Sequence, residues 1–152
     1  MNRAEATEIV EWALGQLVEK QPELLELDVT ERALSHHLAV YISQRVPPGL
    51  STDVEYNRRN ADIKHLRLPP RDALDHEIRA TTVFPDVLVH KRDSDDHNLL
   101  VLELKKSRKD IAYDALKLLA FREELGYLHT GHVILGRNAS GEIVRELIWV
   151  DA

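Results

Sequence analysis

The stretch Leu99-Leu100-Val101-Leu102-Glu103-Leu104-Lys105-Lys106 decides how this chain is read. Its apolar run is that of a strand buried on both faces, yet Glu103 and Lys105 interrupt it. Side chains alternate along a strand, so these two charges share one face. An unpaired buried carboxylate is costly, so Glu103 must be paired, bound to a metal or placed near the strand end. Upstream, Val83 to His90 (VFPDVLVH) is a second strand with the same anomaly: Asp86 sits inside an apolar run, directly after Pro85. A polar turn, Asp93-Ser94-Asp95-Asp96-His97, separates the two strands, and pairing through it brings Asp86 alongside Glu103. Downstream, Ser107 to Asp110 is expected to cap a helix running through Leu125, with Gly126 closing it. Two further strands follow, His129 to Leu135 and Ile143 to Val150, joined by a turn at 137–141.

Toward the N-terminus, Asn2 and Glu5 form a capping-box pattern, and Ile9, Val10, Ala13, Leu14, Leu17 and Val18 recur at helical spacing until Gln21-Pro22. This acidic helix spans about 2–20. A second helix is expected to open at Asp28-Val29-Thr30-Glu31 and run to about Gln44, before Pro47-Pro48-Gly49. At about 100° per residue, Glu31 and Ser35 share the arc of Leu34, Leu38, Tyr41 and Ile42, so Glu31 points inward. Ser51 to Asn57 reads as a short strand. A long polar loop follows over about 58–81, carrying Arg58 and Arg59, with one short helix expected around Ala61 to Leu68. The order is ααβββαββ, an α/β (α+β) chain with a mixed central sheet flanked by helices.

Length and composition agree with one domain over 1–152: 43% of residues are hydrophobic and 30% charged, as in folded globular chains. No run of about 18 apolar residues occurs and no apolar leader follows Met1, so no membrane association is expected and a cytoplasmic location is. With no cysteine in the chain, disulfides, thiolate metal sites and thiol catalysis are excluded, and His and carboxylates remain as metal ligands.

Two adjacent carboxylates with a lysine make a site for a hard cation, with oxygen ligands suited to Mg²⁺ or Mn²⁺. Pro85-Asp86, a spacer of sixteen residues, then Glu103-Leu104-Lys105 resembles the PD-(D/E)XK nuclease superfamily, the restriction-endonuclease-like fold. The resemblance covers roughly 28–136. Within it, Glu31 takes the place of the acidic residue on the helix before the sheet, Glu55-Tyr56 the end of the first core strand, and the helix with Tyr113, Asp114 and Lys117 the one after the signature strand.

The resemblance implies a divalent-metal-dependent nuclease that hydrolyses phosphodiester bonds of DNA or RNA, with DNA the expected partner. By the same resemblance Asp86, Glu103 and the backbone carbonyl of Leu104 would ligate Mg²⁺ (or Mn²⁺). Lys105 would orient or deprotonate the attacking water and stabilise the phosphorus centre, while Glu31 would contact the metal through water or hold a second ion. A homodimer suits an enzyme that cuts both strands. The alternative is a catalytically inactive subunit of the same fold that acts in nucleic-acid binding or protein assembly.

Plainer readings exist for each residue. Glu103 and Lys105 could form a same-face ion pair at a strand end. Glu31 could be the second member of a capping box opened by Asp28. Asp114 and Lys117, three apart on a helix, read as a solvated pair worth about 0.2–0.5 kcal/mol. Lys106, Arg108 and Lys109 form the densest basic cluster and are candidate phosphate contacts, with Arg58 and Arg59 a second patch. Of eight histidines, His90 alone shares a strand face with Asp86, as a candidate outer partner; the others read as surface or core.

The formal charge of −6 argues against a nucleic-acid partner only until it is divided. Residues 1–30 hold seven acids and two bases, a balance of −5, so the other 122 residues carry −1. A divalent ion at Asp86 and Glu103 would bring that body to +1.

Overall fold

The computed structural model describes residues 1–59, 62–63, 65–68 and 79–151. Helix α1 (Arg3–Lys20) begins as its sequence demands: the Asn2 side chain accepts from the Glu5 N–H and the Glu5 carboxylate accepts from the Asn2 N–H. A single turn, α2 (Glu23–Glu26), leads into α3 (Glu31–Ser43). The α3 cap differs from the expectation at Asp28. Thr30 caps instead, accepting from Ala33 N–H at 3.2 Å, which leaves Glu31 out of any capping box.

Strand β1 (Ser51–Val54) is shorter than expected because Glu55 turns into the left-handed region at φ 50°. The segment 58–81 holds strands where a loop with a helix was expected: β2 (Arg58–Arg59), β3 (Asp62–Ile63), β4 (His65–Leu68) and β5 (Arg79–Thr82). β4 and β5 pair antiparallel, and Leu66 and Leu68 on alternate positions are fully buried. The rest of that expected loop, including 69–78, lies outside the described residues.

The main sheet has order β1-β6-β7-β8-β9, with β6 (Val87–His90), β7 (Leu100–Lys105), β8 (His129–Arg137) and β9 (Ile143–Trp149). Among the described residues only the β7/β8 pair is parallel, and α4 (Ile111–Leu125) connects these two strands; the other pairs are antiparallel. A mixed sheet flanked by helices is therefore present. At the end of α4, Gly126 adopts φ 73°, which closes the helix as its sequence position suggested. At its start, Asp110 is left-handed and makes no side-chain cap.

Strand alternation divides the core in two. Val87, Val89, Leu100, Leu102 and Leu104 face α1 and α3, packing on Leu14, Leu17, Leu34, Leu38 and Ile42. Leu88 and Val101 face α4, where Leu66, Leu118, Phe121 and Leu125 complete a second core. Each fully buried leucine contributes about 2 kcal/mol of transfer free energy, so both layers hold β6 and β7 rigidly. Among the described residues, no helix is long and apolar enough to cross a membrane.

Candidate functional site

The register of β6 and β7 positions the two candidate carboxylates, Asp86 and Glu103. Val87 stands opposite Leu102, so the next step puts Asp86 opposite Glu103 on the face turned to α4. Asp86 Oδ2 accepts from the Leu104 N–H at 2.7 Å, and the Glu103 side chain is close enough to bear on the Asp86 carboxyl. In an extended strand a residue's N–H and C=O leave by the same edge, so the Leu104 carbonyl is directed to the Asp86 side as well.

Burial pushes the Glu103 carboxyl from 4.5 up to about 8, with the Asp86 charge adding to the rise and Lys117 opposing it. Asp86 is also raised, by burial first, against the pull of the Leu104 N–H and of Lys117. Two acids that resist ionising side by side are a frequent mark of a functional site.

Helix α4 supplies the rest. Lys105 Nζ lies 3.0 Å from Asp114 Oδ2, and Lys117 Nζ lies 2.8 Å from Glu103 Oε1. The second contact is a charge contact: Glu103 Oε1 is buried and makes no hydrogen bond of acceptable angle. Lys117 Nζ donates instead to the Phe84 carbonyl at 3.2 Å. Asp114 is only 3% exposed, which overturns its reading as half of a solvated pair with Lys117. Both residues turn inward, each to a different partner on β7. Lys105 also borders a cleft of about 410 Å³ with Asp110, Ala112 and Tyr113, at the carboxyl end of β7 and the first turn of α4.

One residue is here that sequence reasoning passed over. His132 on β8 is the register neighbour of Glu103, is 1% exposed, and neither of its ring nitrogens has a hydrogen-bond partner among the described residues. Burial lowers its pKa, with Asp114 opposing and Lys105 reinforcing, so the ring is neutral beside the lysine–aspartate pair. Its only signal in the sequence is a histidine within the otherwise apolar run of β8.

The other candidates fall elsewhere. Glu31 Oε2 accepts from the Lys106 N–H at 3.2 Å, on the α3 side of β7, whereas Glu103 and Lys105 face α4. It braces the end of β7 and does not join the carboxylate pair. Lys106 pairs with Asp28 at 2.9 Å, and Arg108 Nε donates to Glu146 at 3.1 Å, so both are partly neutralised; Lys109 is exposed. Arg58 is exposed on β2, and the Arg59 side chain lies outside the described residues. His90 is no partner of Asp86. Its Nε2 lies 2.8 Å from Asp53 Oδ2, and Arg92 also bonds Asp53. Burial would raise Asp53, but the bonds from Arg92 and His90 outweigh it and hold its carboxyl below the usual range.

The donor set fits one small hard cation. Among the described residues, no three His, Asp or Glu side chains group as a complete metal cage. Mg²⁺ does not require one, since it is commonly held by one or two carboxylates and keeps several waters. Asp86, Glu103 and the Leu104 carbonyl supply such a partial set, although the Lys117 ammonium already lies 2.8 Å from Glu103 Oε1. Comparison with family models, curated proteins and solved structures gave no match to this chain.

Proposed function

We propose that this protein is a Mg²⁺- or Mn²⁺-dependent nuclease of the PD-(D/E)XK type, hydrolysing phosphodiester bonds of DNA or RNA. The observation that carries the reading is the cross-strand pair of carboxylates, half-buried Asp86 and buried Glu103, with a lysine at the adjoining cleft. Asp86, Glu103 and the Leu104 carbonyl would hold the metal, which when bound would supply an acidified water and offset charge on the phosphoryl oxygens. Lys105 presents its ammonium to the phosphate from the cleft, and Asp114 fixes where that ammonium sits. The N-terminus of α4 borders the same cleft, and helix N-termini favour phosphate. Glu31 holds the Lys106 N–H and so sets the direction in which β7 ends. Burial keeps bulk water away from Glu103, which strengthens each of these charge interactions.

The test uses plasmid and single-stranded substrates with Mg²⁺ or Mn²⁺, comparing wild type with Asp86→Asn and Lys105→Ala. Cleavage by wild type and a loss of about 10²-fold or more in each variant is expected. Equal cleavage by all three defeats the reading. A second reading, a nuclease-fold subunit that binds nucleic acid without turnover, is favoured by one fact: both ammonium groups are already held by carboxylates. Under it, no variant or wild type cleaves, while a gel-shift assay still detects binding.

A further inference from the structure

Two lysines approach the candidate carboxylates, and they do different things. Lys105 is on β7, held by Asp114, and borders the cleft. Lys117 comes from α4, reaches across to the neighbouring strands, and places its ammonium 2.8 Å from Glu103 Oε1 and 3.2 Å from the Phe84 carbonyl. The ammonium thus lies against a buried carboxylate oxygen and a backbone carbonyl two residues before Asp86. Hard oxygens facing one point are what a cation position consists of. The Glu103 contact lacks hydrogen-bond geometry, so charge and not direction holds it. The Lys117 side chain is 14% exposed against 4% for Glu103, so its four-carbon stem has a route to solvent that the carboxylate does not.

We propose that the Lys117 ammonium is a tethered counter-ion that occupies the cation position of the Asp86–Glu103 pair and is displaced when a divalent ion enters. The inference rests on the metal-centre reading above and adds how that centre is loaded. A divalent ion and an ammonium cannot share Glu103 Oε1 at contact distance, because like charges so close repel strongly in a buried site. Loading is therefore an exchange of one cation for another. The metal-free fold keeps its carboxylates compensated, and metal affinity is reduced by the interaction that Lys117 gives up. Lys105, held by Asp114 and not by Glu103, is left in place by the exchange.

The test is calorimetric titration of the full chain with Mg²⁺ alone, at about pH 9 and again at about pH 10, because the value of about 8 for Glu103 is held down by Lys117 and rises when that ammonium is removed. Wild type is compared with Lys117→Met, Lys117→Arg and Glu103→Gln. Lys117→Met is expected to bind about tenfold more tightly than wild type, and Lys117→Arg, which keeps the charge, to stay within about threefold of it. Affinity of Lys117→Met equal to or weaker than wild type overturns the counter-ion while leaving the metal centre standing. Uptake of Mg²⁺ by neither wild type nor Lys117→Met overturns the metal centre itself. Uptake by Lys117→Met but not by wild type supports both. Lys117→Gln, which keeps a polar donor without the charge, is the second variant should the methionine fail to fold, and the same tenfold gain is required of it.

Discussion

Replacing Glu103 by glutamine should change how stability depends on pH more than it changes stability itself. In the folded chain burial holds this carboxyl near 8, against 4.5 for an ordinary glutamate. Below 4.5 both folded and unfolded chains bind the proton, and Glu103 contributes no slope. Between 4.5 and 8 the unfolded chain releases it and the folded chain keeps it, so rising pH favours unfolding. At about 1.4 kcal/mol per pH unit, that window removes on the order of 5 kcal/mol by pH 8, with little further loss above it. This is comparable with the whole stability of a small domain, about 5–15 kcal/mol. Glutamine keeps the volume and a polar donor, but it does not titrate. Urea unfolding of both proteins at intervals from pH 5 to 9 isolates the effect, because every other titrating group is common to both. The wild type should lose several kcal/mol relative to Glu103→Gln across the range. Mg²⁺ at 100 times its Kd should restore about 2.7 kcal/mol to the wild type at pH 9 and nothing to the variant. Parallel stability curves across the range would refute the account of a buried, proton-holding Glu103.

Two further substitutions probe the frame of the site. His132→Phe removes a buried ring whose nitrogens have no hydrogen-bond partner among the described residues, so a gain of about 1–3 kcal/mol is expected in thermal or urea unfolding, and a comparable loss would show that the imidazole is satisfied in solution. Gly136→Ala puts a methyl 2.5 Å from the Lys106 carbonyl oxygen, a backbone atom that cannot swing away. A loss of about 2 kcal/mol or more is expected, together with a shift of the strand end that carries Lys105; an unchanged urea midpoint would mean that β7 and β8 part there at little cost.

What the sequence disclosed and what it withheld divide along physical lines. The β7 strand was legible because a run apolar on both faces can be little else, and Glu103 stood out against it. The α1 cap and Gly126 were legible because their chemistry is local. β4 was not: His65-Leu66-Arg67-Leu68 has only two apolar residues in alternation, and a helix was expected across them. Their burial depends on α4 lying over them, with the Glu124 carboxylate accepting the Arg67 N–H at 3.0 Å. The thirteen residues of α3 revealed that Glu31 turns inward, yet not that it meets Lys106 on the far side of β7 from Glu103. Asp114 and Lys117 show the same limit. Spacing of three on a helix gives a solvated pair or two inward arms equally well, and only the docking of α4 on the sheet separates them.

That docking also argues for chemistry on physical grounds independent of any resemblance. Glu103, Asp114, Lys117 and Lys105 lie between β7 and the first two turns of α4, their side chains 4%, 4%, 14% and 22% exposed. Buried ion pairs of this kind can often be exchanged for apolar residues at no loss, or at a gain of about 1–4 kcal/mol. The same layer shows the alternative a short distance away, where Leu88, Val101, Leu118 and Phe121 pack between the same elements. To this the chain adds Asp86, set beside Glu103, and an imidazole with no hydrogen-bond partner among the described residues, each unfavourable by itself. Several of these exceptions fall together, at the carboxyl end of the only parallel strand pair among the described residues and beside an open cleft. In doubly wound α/β sheets that end of the strands is where ligands bind. Stability alone gives no reason to concentrate the exceptions there, whereas a site that must hold a cation and meet a phosphate requires those charges.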